Sequence, residues 1–429
     1  MKRMMNSHGL EQTSLEQPRP MSDKRAAKRD AILRDATLRI NAYGPGGFSL
    51  SDVAKAVGIS RNSLYYYVPD RLDLVFQCYQ RTCDFLSNIL DEVDLSELGH
   101  ADRLRRFMEN VLASDESSQV TMTDIDCLAD VHRRAVRERV QRLIDRLEAL
   151  IRSGIAAGEF RPCNTSAAVH LAFGMINYAR IAHHWASFSD DYETRMRLVR
   201  SFCDLILFGI SSDPRSDISC PIEISSLTQI SVSLFDRQRL QELKADELAG
   251  AASRLFNLRG VEAVTMDEIG AEIGATKGLI YQYFNTKTDL VAHCISLSLR
   301  HTNLAADTAV NFQGSGLRRI AVCFNLNFQA QLSLLPPLLI QPSLAQQKSD
   351  VLENIRSDSD RNTQIFDDLI RNAVEDGSCR EVDAFFTGLA AAGSLTWIPR
   401  WLPTTERSEP KVAADTVTDI ILHGIGLRI

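Results

Sequence analysis

Hydrophobic residues recur at intervals of three and four along most of the chain, which places them on one face of an α-helix. Leu143, Leu147, Leu150 and Ile151 show the spacing clearly. No stretch shows the sustained alternation of apolar and polar residues that marks a half-buried strand. The pattern therefore predicts an all-α protein, with helices from about residue 24 to 210 and again from about residue 236 onwards.

Two segments interrupt this pattern. Residues 1–22 contain Pro18 and Pro20 and have no periodicity, so we predict a disordered leader. Residues 212–236 are rich in serine and contain two prolines, which predicts a linker. In the second half, prolines 336, 337 and 342 and the stretch 397–410 predict further breaks between helices.

A long-period repeat organises the chain. Residues 49–74 and 265–290 align without a gap, and residues 204–210 (DLILFGI) match residues 419–425 (DIILHGI). Each half is thus predicted to contain a small N-terminal helical module and a larger helical body. We name the predicted units module 1 (residues 23–74), body 1 (75–211), module 2 (237–290) and body 2 (291–429).

The repeated segment carries signals for a helix, a tight turn and a second helix. Thr265 and Glu268 form a capping box at the first helix start, and Ser49 and Asp52 occupy the same places in module 1. A glycine that favours positive φ then ends this helix in both modules, at Gly58 and Gly274. Ser60 and Thr276 cap the second helix, whose N-terminal amides suit a phosphate oxygen.

The second helix has the residue types of a DNA-contacting helix. A basic residue lies in its first turn, tyrosines bracket an outward position, and another basic residue starts the next helix. We predict that Arg71 and Lys287 grip the DNA backbone. The candidate DNA contacts are Ser60, Arg61, Asn62, Ser63, Tyr65, Tyr66, Tyr67 and Arg71 in module 1, and Thr276, Lys277, Gly278, Leu279, Tyr281, Gln282, Tyr283 and Lys287 in module 2.

These motifs resemble the DNA-binding domain of the TetR/AcrR family of bacterial transcriptional regulators, present twice. Module 2 follows the family pattern closely, through Gly274, Lys277, Gly278, Tyr281, Tyr283, Phe284, Lys287 and Leu290. Module 1 departs from it at Asn62, Val68, Pro69 and Arg71. At the last of these positions, the planar guanidinium of arginine replaces the ammonium group of the usual lysine. The resemblance implies two tandem units, each with a three-helix DNA-binding module and a helical body for ligand binding and dimerisation.

The bodies also resemble the family, through Gly158-Glu159-Phe160-Arg161, the Trp397-x-x-x-Trp401 spacing and the Leu422-His423-Gly424 close. The family's logic implies a repressor released by a small effector. The apolar stretches Val169–Met175 and Phe385–Thr396 suggest a hydrophobic effector, such as a lipid, an acyl thioester or an aromatic compound. The candidate ligand contacts are Phe173, Asn177, Tyr178, Trp185, Trp397 and Trp401.

Charge and composition are compatible with this interpretation. The net charge is −7, but residues 24–34 form a local basic cluster, and DNA binding depends on local charge. No apolar run is long enough to span a bilayer, and the start lacks a signal-peptide pattern. Nine cysteines without a CxxC spacing indicate reduced thiols and a cytoplasmic protein.

An enzyme is the main competing class, and the sequence lacks its signals. We find no glycine-rich phosphate loop, G-x-S-x-G, H-E-x-x-H or histidine spacing for a metal, so no cofactor or metal is expected. A helical interaction protein with one functional DNA-binding module, or none, stays an alternative.

The duplication predicts how the halves assemble. Family members usually pair as dimers, so we expect a covalent pseudo-dimer in which the two bodies pack together; a homodimer of chains with four modules is the alternative. The second helices differ at outward positions, for example Tyr66 against Gln282. We therefore expect an asymmetric double-stranded DNA operator with unlike half-sites.

Overall fold

The computed structural model describes residues 23–186, 188–189, 191–228, 237–347, 349–401 and 409–427. The predicted leader 1–22 lies outside these residues. The described part is helical and contains no β-strand, which confirms the all-α prediction. The first half comprises α1 (Asp23–Tyr43), α2 (Leu50–Ala56), α3 (Arg61–Leu64), α4 (Arg71–Asp94), α5 (His100–Ala113), α6 (Asp130–Ala156), α7 (Thr165–Ala179), α8 (Ala182–Trp185) and α9 (Tyr192–Phe208).

The second half repeats this order after a short helix in the predicted linker. No described helix is long and apolar enough to cross a membrane. The remaining helices are α10 (Ile224–Thr228), α11 (Arg237–Arg259), α12 (Met266–Glu272), α13 (Lys277–Tyr283), α14 (Lys287–Asn311), α15 (Gly316–Leu332), α16 (Ser349–Glu375), α17 (Ala384–Leu395), α18 (Ile398–Trp401) and α19 (Pro410–His423).

The predicted linker is fastened to the second half in its described part. Gln329 on α15 accepts a hydrogen bond from the backbone N of Ile224 (2.9 Å) and donates one to the carbonyl of Ile222 (3.1 Å). Cys220 and Ile224 are buried. Residues 212–228 therefore form part of the packed structure, while the predicted linker residues 229–236 lie outside the described residues.

The two bodies pack against each other through α7 and α9 of body 1 and α17 and α19 of body 2. α7 and α17 cross where each carries a glycine: a Cβ added at Gly174 would lie 2.7 Å from the carbonyl oxygen of Gly393. The Thr396 hydroxyl also donates to the Gly174 carbonyl (3.3 Å). The two bodies therefore pack together within one chain.

A reciprocal pair of arginines fastens the ends of this interface. Arg161 of body 1 donates from Nε to the Gly424 carbonyl (2.5 Å) and pairs with the Asp419 carboxylate (2.7 Å). Arg380 of body 2 donates from Nε to the Gly209 carbonyl (2.8 Å). The interface thus has approximate two-fold symmetry within one chain.

Each module is attached to its own body by a buried asparagine. Asn41 on α1 hydrogen-bonds the Gln119 carbonyl and the Thr121 backbone N, both at 3.0 Å. Asn257 on α11 makes the equivalent bonds to the Pro337 carbonyl (2.8 Å) and to the next-but-one backbone N, that of Leu339 (2.9 Å). We name the two body segments connector 1 (residues 119–127) and connector 2 (residues 337–346).

Each connector then crosses to the module of the other half. The Ile125–Cys127 turn of connector 1 contacts α11, and the Pro342–Gln346 turn of connector 2 contacts α1. A glycine allows each close approach: Gly260 faces Asp124, and Gly44 faces Ser343, with a hypothetical Cβ 3.1 Å from the Ser343 Cα. Both modules are therefore held jointly by the two connectors.

Candidate DNA-binding modules and ligand cavity

Caps fix the start of the second helix in both modules, as the sequence predicts. The Ser60 hydroxyl accepts from the backbone N of Ser63 (3.0 Å), and the Thr276 hydroxyl accepts from that of Leu279 (3.4 Å). Gly58 and Gly274 precede these helices with φ of 67° and 65°, values that favour glycine. The local geometry of a helix-turn-helix is thus present twice.

The second helix of each module has one buried and one exposed face. Leu64 and Ile280 are fully buried, and Val68 and Phe284 complete the core contact one turn later. The exposed residue between the two tyrosines differs between the modules: it is Tyr66 (79% exposed) in module 1 and Gln282 in module 2. These faces are available to a large partner and present different side chains.

Most candidate DNA contacts lie on that exposed face. Ser60, Arg61, Asn62, Tyr65, Tyr66, Thr276, Gly278, Leu279, Tyr281 and Gln282 are exposed, and Ser63, Tyr67 and Tyr283 are half-buried. The side chain of Lys277 lies outside the described residues.

The two modules differ in the length of this helix. α3 has a single turn, followed by turns at residues 65–67, whereas α13 continues to Tyr283. Arg61 donates from Nε to the Tyr65 hydroxyl (3.2 Å) on the exposed surface. The sequence alignment alone did not reveal this difference.

Arg71 and Lys287, which the sequence predicts to grip the DNA backbone, form hydrogen bonds within the protein. Arg71 donates to the carbonyls of Gly46 (3.0 Å) and Phe48 (3.3 Å) in the loop after α1. Lys287 donates to the Val261 carbonyl in the equivalent loop, and burial lowers its pKa. Both side chains fasten a loop, because its carbonyls would otherwise lack donors.

The basic cluster at residues 24–34 is also partly engaged. Lys28 donates to the Val57 carbonyl (3.1 Å), Arg29 to the Gln77 side chain (2.8 Å), and Arg34 pairs with Asp30. Lys24 and Arg25, at the start of α1, are exposed. The positive surface that α1 offers is therefore smaller than the sequence suggests.

Body 2 contains an apolar cavity of about 270 Å³, which we name cavity 2. Helices α14 to α17 and connector 2 form its walls, and Tyr178 of body 1 contributes from across the interface. All the side chains that line it are uncharged, including Ser298, Cys323, Gln331 and Asn362. The cavity suits a small apolar ligand.

Of the candidate ligand contacts whose side chains the structure describes, Tyr178 alone lines cavity 2. Phe173 and Asn177 line a space of about 10 Å³ in body 1, which we name cavity 1. Trp185 and Trp397 are buried elsewhere, and the Trp397 ring packs 6.0 Å from that of Phe173. The side chain of Trp401 lies outside the described residues.

The sequence reading missed the residues that open cavity 2, such as Cys323 and Ala392, because they are small and carry no functional group. A position-by-position comparison of the two halves contains the signal, since body 1 has phenylalanine at both equivalent positions.

Comparison with known families agrees with this architecture. The model described as "Bacterial regulatory proteins, tetR family" matches residues 248–294, which cover most of module 2 and the first residues of body 2. The model described as "Tetracyclin repressor-like, C-terminal domain" matches residues 97–186 and again residues 339–425. Together they cover more than half of the chain, with the C-terminal domain present twice. The chain belongs to the TetR family.

Individual relatives match parts of this TetR-family chain. The HTH-type transcriptional regulator TtgR and the probable HTH-type transcriptional regulator ArpR, both of Pseudomonas putida, are each 39% identical over 70 residues, 16% of this chain. The match spans about a third of the length of these relatives. The crystal structure of apo AibR is 21% identical, covering 41% of this chain and 97% of its own, with a TM-score of 0.35.

The TetR family consists of transcriptional regulators and not of enzymes, which agrees with the missing catalytic motifs. In the described residues, no group of three or more histidine, cysteine, aspartate or glutamate side chains is arranged to hold a metal ion.

Substitution of Arg71 tests its role in this TetR-family module. We expect Arg71→Met to lower the free energy of unfolding by about 1–3 kcal/mol, because two carbonyls lose a charged donor. The dependence of log K on log salt for non-specific duplex DNA should stay unchanged, whereas loss of a phosphate contact reduces that slope by about one. Fluorescence anisotropy across a salt series measures the slope, with the exposed Arg61→Met as the control. If the slope for Arg71→Met fell by about one, Arg71 would contact a DNA phosphate after all.

Proposed function

We propose that the chain is a ligand-responsive DNA-binding transcriptional repressor of the cytoplasm, released from its operator by a small hydrophobic effector. The observation that carries the DNA-binding part is the capped, exposed helix in both modules, at Arg61–Leu64 and Lys277–Tyr283. The partner is double-stranded DNA, since a helix of this kind enters the major groove with its N-terminal residues against base edges.

We further propose that one chain reads one asymmetric operator. The two modules are held by shared connectors, so they approach DNA as a pair. Their exposed residues differ, with Arg61, Asn62 and Tyr66 in module 1 against Gly278, Leu279 and Gln282 in module 2. Arg61 suits a guanine and Gln282 an adenine, because their donors and acceptors match those base edges.

The route from effector to DNA that we propose runs through connector 2. Pro337 and Leu339 of this segment line cavity 2 and also bond Asn257 of module 2. A few residues later, Gln346 donates to the Tyr43 carbonyl of module 1 (2.9 Å). A ligand that displaces connector 2 changes the position of both modules, and it shifts the population only as far as it prefers the displaced state.

A footprint on the DNA flanking the protein's own gene tests the proposal. We expect wild type to protect two unlike half-sites at moderate salt. Arg61→Ala should lose protection on one half-site and Lys277→Ala on the other, with affinity reduced roughly 5- to 150-fold for each, because a base contact contributes about 1–3 kcal/mol.

The other outcomes decide between the alternatives. Loss of protection in only one variant would mean that the other module has a structural role. A strict palindrome selected by wild type would contradict the asymmetric operator. Mass photometry of the complex distinguishes one bound chain from a homodimer with four modules. Absence of any protected or selected site would favour a helical interaction protein.

A further inference from the structure

Body 1 and body 2 contain cavities at equivalent positions, and the two cavities differ in volume. The register between them is set by equivalent contacts: the Thr82 hydroxyl accepts from the Val120 backbone N (2.9 Å), and the Ser298 hydroxyl accepts from that of Leu338 (2.6 Å). The N-caps of α5 and α15 and those of α7 and α17 extend this register through the bodies. Every residue that lines cavity 1 then has its counterpart lining cavity 2.

Two phenylalanine side chains of body 1 occupy space that is open in body 2. Phe107 in body 1 corresponds to Cys323 in body 2, and Phe173 corresponds to Ala392. Both phenylalanines are almost completely buried, and the space left beside them is about 10 Å³. A thiol and a methyl group at the same places leave about 270 Å³.

We propose that this chain has a single effector site, cavity 2, and that body 1 has lost the equivalent site because Phe107 and Phe173 fill it. The ligand is an uncharged, largely apolar molecule that carries a hydrogen-bond donor, such as a hydroxyl or an N–H group. This inference rests on the proposed ligand-responsive function and adds the number of sites and the ligand class.

The lining of cavity 2 determines the class of ligand. A buried charge without a partner is strongly unfavourable, and no charged side chain lines the cavity. Burial raises the pKa of Cys323 to about 12, so this thiol also stays neutral. An anionic or cationic ligand would therefore lose its hydration without compensation, whereas an apolar one gains from leaving water.

Two polar atoms in the cavity wall point to a donor on the ligand. Oε1 of Gln331 and Oδ1 of Asn362 are buried and lack a hydrogen-bond partner among the described residues. The amide of Gln331 is oriented by its bond from Nε2 to the Pro337 carbonyl (3.3 Å), which leaves the oxygen as an acceptor. Gln331 is itself more than nine-tenths buried. Buried acceptors are normally satisfied, so a ligand donor fits here.

A second concave surface in the described part of the chain has a different character. A groove of about 570 Å³ between the bodies is lined by Arg197, Arg200, Asp204 and Arg371, among others. Its charged walls do not suit an apolar molecule.

Titration with a neutral fluorescent probe tests the number and place of sites. N-Phenyl-1-naphthylamine is uncharged, apolar and carries one N–H donor. With the full chain we expect one probe per chain, and we expect Ala392→Phe, which copies body 1, to weaken binding at least tenfold. The matched body 1 variant Phe173→Ala should retain the affinity of the body 2 site within about twofold. Thr302→Leu, copying Leu86 of body 1, is a milder second variant if Ala392→Phe fails to fold.

A charged analogue tests the ligand class. 8-Anilino-1-naphthalenesulfonate has the same rings and N–H group with an added sulfonate, and we expect it to bind at the site at least tenfold more weakly. Two equivalent sites per wild-type chain would overturn the proposal. So would unchanged binding in folded Ala392→Phe, or equal binding of the sulfonate that competes with the neutral probe.

DNA binding by the same variants separates this inference from the proposed function. Ala392→Phe should bind the operator like wild type but lose any probe-dependent release. If wild type bound one neutral probe in cavity 2 yet no DNA, the regulatory function would fail while the single-site assignment stood. If wild type bound DNA but carried two probe sites, the single-site assignment would fail while the regulatory function stood.

Discussion

Replacing Gly209 or Gly424 by alanine is expected to destabilise the folded chain by about 2–5 kcal/mol. Both residues have positive φ with extended ψ (59° and −158°; 74° and 177°), a region that is essentially restricted to glycine. Each also faces the other half closely: a Cβ at Gly209 would lie 2.2 Å from the Leu422 carbonyl oxygen, and one at Gly424 would lie 2.5 Å from the Gly209 nitrogen. Urea unfolding followed by circular dichroism measures the loss.

The same fold offers a comparison with two glycines that have positive φ but no close neighbour. Gly158 and Gly377 also have positive φ (75° and 76°), but a Cβ at either position would meet no atom within 4 Å. Their alanine variants should cost only about 1–2 kcal/mol. Equal losses at the two pairs of positions would show that the close approach between the halves adds nothing. A larger loss at Gly209 and Gly424 is the expected result, because a Cβ there meets the backbone of the other half and the extended ψ adds strain.

Stability should also depend on pH through Asp124, a buried carboxyl of connector 1. Burial raises its pKa from an ordinary value of 3.8 to about 6, against the opposing effects of a hydrogen bond from Thr123 and of the charge on Arg400. Between these two values the folded chain holds a proton that the unfolded chain has released. The contribution of Asp124 to the free energy of unfolding is therefore fully present below about pH 4. It is lost as the pH rises from there through about 6.

Asp124→Asn should remove this dependence, because the amide is neutral at every pH. The two pKa values differ by an amount equivalent to about 3 kcal/mol. We therefore expect the free energy of unfolding of the variant, relative to wild type, to rise by about that much between pH 4 and pH 8. Asp124→Ser copies Ser343, the residue that faces Gly44 where Asp124 faces Gly260, and should change with pH in the same way. A difference from wild type that stays constant with pH would contradict the prediction.

Local structure could be predicted closely from the sequence wherever it depends on neighbouring residues. The capping boxes at Ser49–Asp52 and Thr265–Glu268 are confirmed, as are the caps at Ser60 and Thr276. These bonds join residues three positions apart, so the sequence contains both partners. The repeat likewise predicted two halves with the same order of helices.

The roles of individual side chains were less predictable. Arg71 and Lys287 have the residue type for a phosphate contact, but their partners are carbonyls 23 to 26 positions earlier in the chain. The aromatic side chains predicted to contact a ligand are mostly packed in the interior. Phe173, for example, occupies the position that Ala392 leaves open in body 2. Residue type indicated what these side chains are able to do, and packing decided what they contact.

The sequence by itself determined the helices, their caps, the two-fold repeat and the family resemblance, because these follow from periodicity and from residues close together in the chain. Only the tertiary structure decided that each connector reaches the module of the other half, that two arginines fasten the interface reciprocally, and that one of two equivalent cavities is open. Those features depend on side-chain volumes and on contacts between residues that are about 80 to 300 positions apart in the chain. Such distances are set by how the helices pack, and no local pattern encodes them.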